Sequence, residues 1–98
     1  MRREVRDRWV NELRSGNHVK NTGRLKRGDT YCVLGVLAGP TLGMKWGDYE
    51  DDWVYSVLKA LLGQRMVTKL YGINDDPISK YTFRELADIV EAEVPVED

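Results

Sequence analysis

The 14 residues from Tyr31 to Met44 constrain the fold most, because none of them carries a charge. Apolar residues surround this stretch on almost every side if it is a helix; among them are Tyr31, Cys32, Leu34, Val36 and Leu37. Such a pattern is typical of an element buried at the centre of a domain. A membrane-spanning helix needs about 20 apolar residues, and Pro40 interrupts this stretch. The sequence therefore predicts a central core element and no membrane span.

Periodicity alone cannot separate a short buried helix from a buried strand in this segment. We favour a helix over residues 31–38, with Asp29 or Thr30 as its N-cap, and a buried strand is the alternative. Gly39-Pro40 is expected to end this helix, since proline lacks the amide hydrogen that the next helical turn needs. Gly35 is expected to be a close-packing contact.

Other segments place apolar residues at helical spacing. They predict helices over about residues 2–15, from the acidic cluster ahead of Trp53 to Leu62, over 64–72, and over 83–93. Thr82 and Glu85 have the spacing of a capping box at the start of the last helix. Between His18 and Asp29 we expect a basic loop, with room for a short hairpin about Asn21-Thr22-Gly23.

These segments predict one compact domain over residues 1–98, since a chain of this length can bury only one small core. The expected fold class is mostly α: a small irregular helical bundle of four to five helices, with one short β-hairpin as an option. The single cysteine cannot form an internal disulfide, which favours a reducing compartment. The charged N-terminus shows no secretory signal.

The charges are divided unevenly along the chain. Residues 1–45 hold ten Lys or Arg against four acids, a balance of +6, and residues 46–98 have a balance of −7. This asymmetry indicates either a surface for a charged partner or two halves that neutralise each other by packing together.

No catalytic, metal or cofactor site is expected. One histidine, His18, and one cysteine, Cys32, cannot supply the usual ligands of a structural zinc site. Cys32 lies in the apolar stretch, where burial raises the pKa of a thiol and makes it inert. We therefore expect no enzyme activity.

Two groups of residues are candidates for binding. An aromatic and acidic cluster predicts a protein-binding surface, since Trp and Tyr are enriched at interface hot spots; its residues are Trp46, Tyr49, Asp51, Asp52 and Tyr55. A basic group in the loop is the alternative, for nucleic acid or other anions; its residues are Lys20, Arg24, Lys26 and Arg27.

Three blocks of the sequence together resemble a family of small uncharacterised proteins encoded by bacteriophages and prophages. They are Trp9 to Gly16, which ends in Leu13-Arg14-Ser15-Gly16, then Tyr31 to Leu37, and then Asn74-Asp75 with Thr82 to Glu91. Members of that family often carry two adjacent cysteines where this chain has Cys32-Val33. The resemblance implies a viral or mobile-element origin and the cytoplasm of a bacterial host, and it carries over no catalytic residue.

The leading functional hypothesis is a non-enzymatic accessory protein of phage type that binds a host or viral macromolecule, most readily a protein. The first alternative is a nucleic-acid-binding protein that uses the basic N-terminal half. The second is a small-molecule sequestering module, with Arg24, Lys26 or Arg27 holding the phosphate groups of a nucleotide.

Overall fold

The computed structural model describes residues 1–47 and 51–97. Its five α-helices are α1 (Arg3–Arg14), α2 (Val33–Val36), α3 (Asp51–Leu62), α4 (Gln64–Asn74) and α5 (Phe83–Glu93). A π-helical turn (Leu37–Thr41) follows α2 directly. Between α1 and α2 lie three short strands, β1 (Val19–Lys20), β2 (Lys26–Arg27) and β3 (Thr30–Tyr31). The prediction of a mostly α, irregular bundle is confirmed. No helix within 1–47 and 51–97 is long and apolar enough to cross a membrane.

Helices α1 and α5 pack against each other and confirm the two predicted helices at the ends of the chain. Trp9, Val10 and Leu13 form the buried face of α1, and Trp9 donates its indole N–H to the Val33 carbonyl at 2.9 Å. At the start of α5 the capping box of Thr82 and Glu85 is present. Helix α1 also packs against α2 and the π turn, so it contacts both α5 and the central segment.

The central segment is helical, as favoured, but the predicted boundaries are wrong. Thr30 and Tyr31 belong to β3, so α2 begins only at Val33 and its N-cap is Cys32, whose sulfur accepts the Gly35 amide at 3.4 Å. At its other end the helix does not stop at Gly39-Pro40. The π turn continues to Thr41, with the Leu42 amide donating to the Leu37 carbonyl at 3.0 Å. This wider turn accommodates a residue without an amide hydrogen.

The three strands form a small sheet in the order β1-β3-β2, in which β1 is parallel to β3 and β2 is antiparallel to it. The hairpin therefore joins β2 to β3 through Gly28 and Asp29, and the predicted hairpin at Asn21-Thr22-Gly23 is wrong. Gly28 has a φ of 59°, which suits the first position of a two-residue hairpin turn.

Helix α3 ends at Leu62 as predicted, and residues 48–50 of the acidic cluster ahead of it lie outside the described residues. Helix α4 extends two residues beyond the predicted end, to Asn74. The extension places the Asn74 side chain in the core, where its Oδ1 accepts the Val33 amide at 2.9 Å. Asp75 and residues 77–79 form turns after α4.

Candidate functional site

Three large apolar side chains of α3 are exposed. Trp53 is 46% exposed, Val57 36% and Leu61 40%. Their spacing of four residues puts them side by side along one face of the helix, which we call the α3 face. The core face of the same helix is formed by Val54 and Leu58, which are fully buried. The α3 face is therefore an apolar strip that the domain itself leaves uncovered.

Trp46, a predicted partner-binding residue, is buried, with 6% of its surface exposed. Its indole N–H donates to Asp51 Oδ1 at 3.1 Å, and Arg24 forms an ion pair with the other oxygen of Asp51 at 3.7 Å. Trp46 and Asp51 thus connect the segment after the π turn to the start of α3. Trp53, which is not one of the predicted partner-binding residues, has an exposed indole, whereas the indole of Trp46 is buried.

The other predicted partner-binding residues occupy different places. Asp52 is exposed at the start of α3, and Tyr55 is half-buried. Tyr55 lines a groove of about 380 Å³ between α3 and α4 with Lys59, Val67 and Tyr71. Desolvation by burial raises the pKa of the Tyr55 phenol, so it stays neutral at physiological pH. Tyr49 lies outside the described residues.

The four predicted anion-binding residues do not form one cluster. Arg24 is ion-paired with Asp51. The ladder register aligns Lys20 and Lys26 on either side of Tyr31, whereas Arg27 is paired with Thr30. Because successive residues of a strand point to opposite faces, Lys20 and Lys26 share one face of the sheet and Arg27 lies on the other.

The basic N-terminal half is partly neutralised by the acidic C-terminal half. Arg14 of α1 forms ion pairs with Asp88 at 2.8 Å and Glu91 at 3.4 Å, both on α5. The hydrogen bond that Arg14 donates to Asp88, followed by those that it donates to Glu91, raises the pKa of Arg14. Arg6 donates to the Glu91 carbonyl, and Arg8 donates to the Thr41 carbonyl at 2.6 Å. These arginines are already engaged within the fold.

Residues 1–58 match the family described as a domain of unknown function (DUF8296). The chain belongs to this family. No curated protein and no solved structure matches it.

The DUF8296 match ends at residue 58, inside α3. It contains all the predicted binding residues, from Lys20 to Tyr55, together with Trp53 and Val57 of the α3 face. Leu61 lies beyond its end. In the DUF8296 domain the matched segment thus includes the sheet, the π turn and most of α3.

Sequence reasoning missed the exposure of the α3 face, because helical spacing groups Trp53, Val57 and Leu61 with Val54 and Leu58 into one wide apolar stripe. The width of this apolar stripe is a signal that could have predicted the exposure. An apolar stripe wider than the face that one helix can bury leaves an edge in solvent. The exposed edge is the part of α3 available to a partner.

Cys32 has the inert character that the sequence predicts. Its side chain is buried, and desolvation raises the pKa of the thiol from 9.0 to about 12. Within the described ranges 1–47 and 51–97, no three His, Cys, Asp or Glu side chains come close enough together to hold a metal ion.

We expect Cys32 to resist alkylation in the folded domain and to react rapidly once urea unfolds it, because only the exposed thiolate is a nucleophile. The raised pKa favours the protonated thiol in the fold. The folded state therefore keeps the full stability associated with this protonated thiol below pH 9.0, and it loses that stability as the pH rises toward about 12. Iodoacetamide labelling followed by mass spectrometry measures the rate of Cys32 alkylation in water and in urea. Equal labelling rates in water and in urea would contradict the burial of this thiol.

Proposed function

We propose that this DUF8296 domain is a non-enzymatic binding protein whose α3 face docks on another protein. The supporting observation is the exposure of Trp53, Val57 and Leu61 in a row on one helix. An indole flanked by aliphatic side chains supplies the large, desolvatable contact area that dominates interface energetics.

A protein partner fits this surface better than a nucleic acid does. A nucleic acid would be held chiefly by Lys and Arg contacts to phosphates, and several arginines of the basic half are engaged by acids or carbonyls of the same domain. The α3 face itself is apolar, and the first turn of its helix carries Asp51 and Asp52. These acids would repel phosphate groups.

The acids also indicate the chemistry of the partner. Asp52 is exposed one residue before Trp53, at the N-terminal end of the α3 face. A partner segment with an apolar anchor followed by Lys or Arg would complement both residues: the anchor would cover the Trp53 indole, and the cation would pair with the Asp52 carboxylate. Such complementarity sets the orientation of the partner more than its affinity.

The resemblance to phage and prophage proteins supports the biological setting that we propose, an accessory protein acting on a host or viral protein in the bacterial cytoplasm. The absence of a reactive cysteine is consistent with a role in binding. Cys32 is buried and protonated, so it does not supply a nucleophile.

Replacing Trp53 with serine should weaken partner binding by roughly thirtyfold or more, the loss expected of an interface hot spot worth at least about 2 kcal/mol. The wild-type domain is first used to capture its partner from bacterial lysate, and calorimetry with the purified partner then gives the affinities. Ile78→Ser is the matched control, because Ile78 is a 90% exposed apolar residue outside α3. Its affinity should equal that of the wild type.

Two results would contradict the proposal. One is an unchanged affinity in the Trp53→Ser variant that nevertheless keeps the wild-type circular dichroism spectrum. The other is turnover of a substrate by the isolated domain. A captured nucleic acid in place of a protein, with an affinity that falls steeply with salt, would favour the basic half as the binding surface.

A further inference from the structure

A second surface of the domain has the form of a ligand site. It is a groove of about 540 Å³ between the sheet and the π turn, which we call the basic groove. The residues that matter for its chemistry are His18, Lys26, Tyr31, Gly39, Lys45 and Trp46. Its volume lies within the range of small-molecule sites, roughly 300–1,000 Å³. The α3 face contributes none of the residues that line it.

The cations of the groove come from separate parts of the chain. Lys26 lies on β2 and Lys45 follows the π turn. The Lys26 ammonium donates to the Trp46 carbonyl at 3.4 Å and lies 5.8 Å from the centre of the Trp46 ring. These contacts hold one lysine in place at the groove, and an ammonium group can donate up to three hydrogen bonds. Of the described residues that line the groove, none is acidic.

The aromatic part of the groove is tightly built. A Cβ at Gly39 would lie 3.1 Å from Tyr31 Cε1 and 3.6 Å from Trp46 Cη2, so the glycine backbone packs between the two rings. The Tyr31 ring also meets the His18 ring edge to face, with 6.0 Å between centroids. His18 is itself fixed by Glu12, 2.5 Å from its Nε2. The rings therefore form a positioned apolar wall beside the lysines.

We propose that the basic groove binds a small organic phosphate monoester that carries a flat ring. The doubly charged phosphate matches two lysine ammonium groups, which act as point charges toward phosphate. The ring of the ligand covers the aromatic wall at Tyr31. All the residues that line the groove fall within residues 1–58, so the site belongs to the part of the chain that matches the family. This site is independent of the proposed protein-binding function.

Three probes separate the two halves of this recognition: phenyl phosphate, inorganic phosphate and phenol. Each is titrated into the ¹⁵N-labelled domain while the amide shifts of residues 18–31 and 39–46 are followed. Phenyl phosphate should shift these amides and bind at least about tenfold more tightly than either fragment, because it uses the lysines and the aromatic wall together. Inorganic phosphate binding as tightly as phenyl phosphate would overturn the assignment of a ring-bearing ligand.

The variant Lys45→Met tests the role of the lysines. Lys45 is exposed, so its replacement should leave the fold intact. The affinity for phenyl phosphate should fall by about tenfold through the loss of a charge-assisted contact. Lys59→Met is the matched control, since Lys59 is an exposed lysine that does not line the basic groove. Shifts confined to other parts of the domain, no binding of phenyl phosphate, or equal losses in both variants would overturn the proposal.

Discussion

The Gly35→Ala variant is expected to lose a large part of its folding stability. Gly35 lies in α2, and a Cβ at this position would be 2.8 Å from the carbonyl carbon of Leu25 and closer still to its oxygen. Both residues are in the core, and the opposing group is backbone that cannot turn aside. Such overpacking should cost about 3 kcal/mol or more, a large part of the roughly 5–15 kcal/mol that stabilises a small domain.

Gly72→Ala is the matched control for this prediction. Gly72 is a helical glycine of α4, and a Cβ added there would have nothing within 4 Å of it. Alanine at this position should therefore stabilise the domain by up to about 1 kcal/mol through its helix propensity. Urea unfolding followed by circular dichroism gives both free energies of unfolding. A Gly35→Ala domain within half a kcal/mol of the wild type would show that α2 does not pack against Leu25 as described.

The close contact at Gly35 illustrates how far the sequence specifies this fold. Its apolar surroundings predict a packing role for Gly35 but cannot name the partner, because Leu25 lies in a loop with no periodicity. The last helix is not limited in this way. Helical spacing and the capping box locate α5 to the residue, since both signals depend only on neighbours within the helix.

The central segment and the sheet are harder to predict for a different reason. The π turn continues through Pro40 because later amides find carbonyl partners in a wider turn, and that choice depends on tertiary packing. The pairing of β1 with β3 is parallel and joins Val19 to Thr30. Two-residue strands carry no alternation pattern, so their partners are set by the structure around them.

The candidate site is predictable as a region but not as a surface. The sequence indicates Trp46 as a binding residue and does not single out Trp53, yet the structure buries Trp46 and exposes Trp53. Trp46 is held inward by its N–H donation to Asp51, while the α3 core face is already filled by Val54 and Leu58. Composition identifies aromatic residues suited to binding, and only the packing around them decides which one a partner can reach.

Asn74 shows the converse case, a polar residue beyond the predicted end of α4 that the fold buries. Its Oδ1 accepts the Val33 amide at 2.9 Å, and its Nδ2 donates to the Asn21 carbonyl at 3.0 Å and to Asp75 Oδ1 at 2.9 Å. One side chain therefore joins the end of α4 to the start of α2 and to the segment after β1.

The Asn74→Ala variant should lose about 2–4 kcal/mol of folding stability, because a buried amide and a buried carbonyl are left without partners at about 1–3 kcal/mol each. Asn74→Asp should also be destabilised, since the Asn21 carbonyl loses the Nδ2 donor and the new carboxylate lies beside that of Asp75. The control Asn11→Ala replaces an exposed asparagine of α1 and should stay within about 0.5 kcal/mol of the wild type. Urea unfolding measures the losses, and hydrogen exchange of the Val33 amide localises them. Unchanged protection of that amide in Asn74→Ala would show that Val33 does not depend on this side chain.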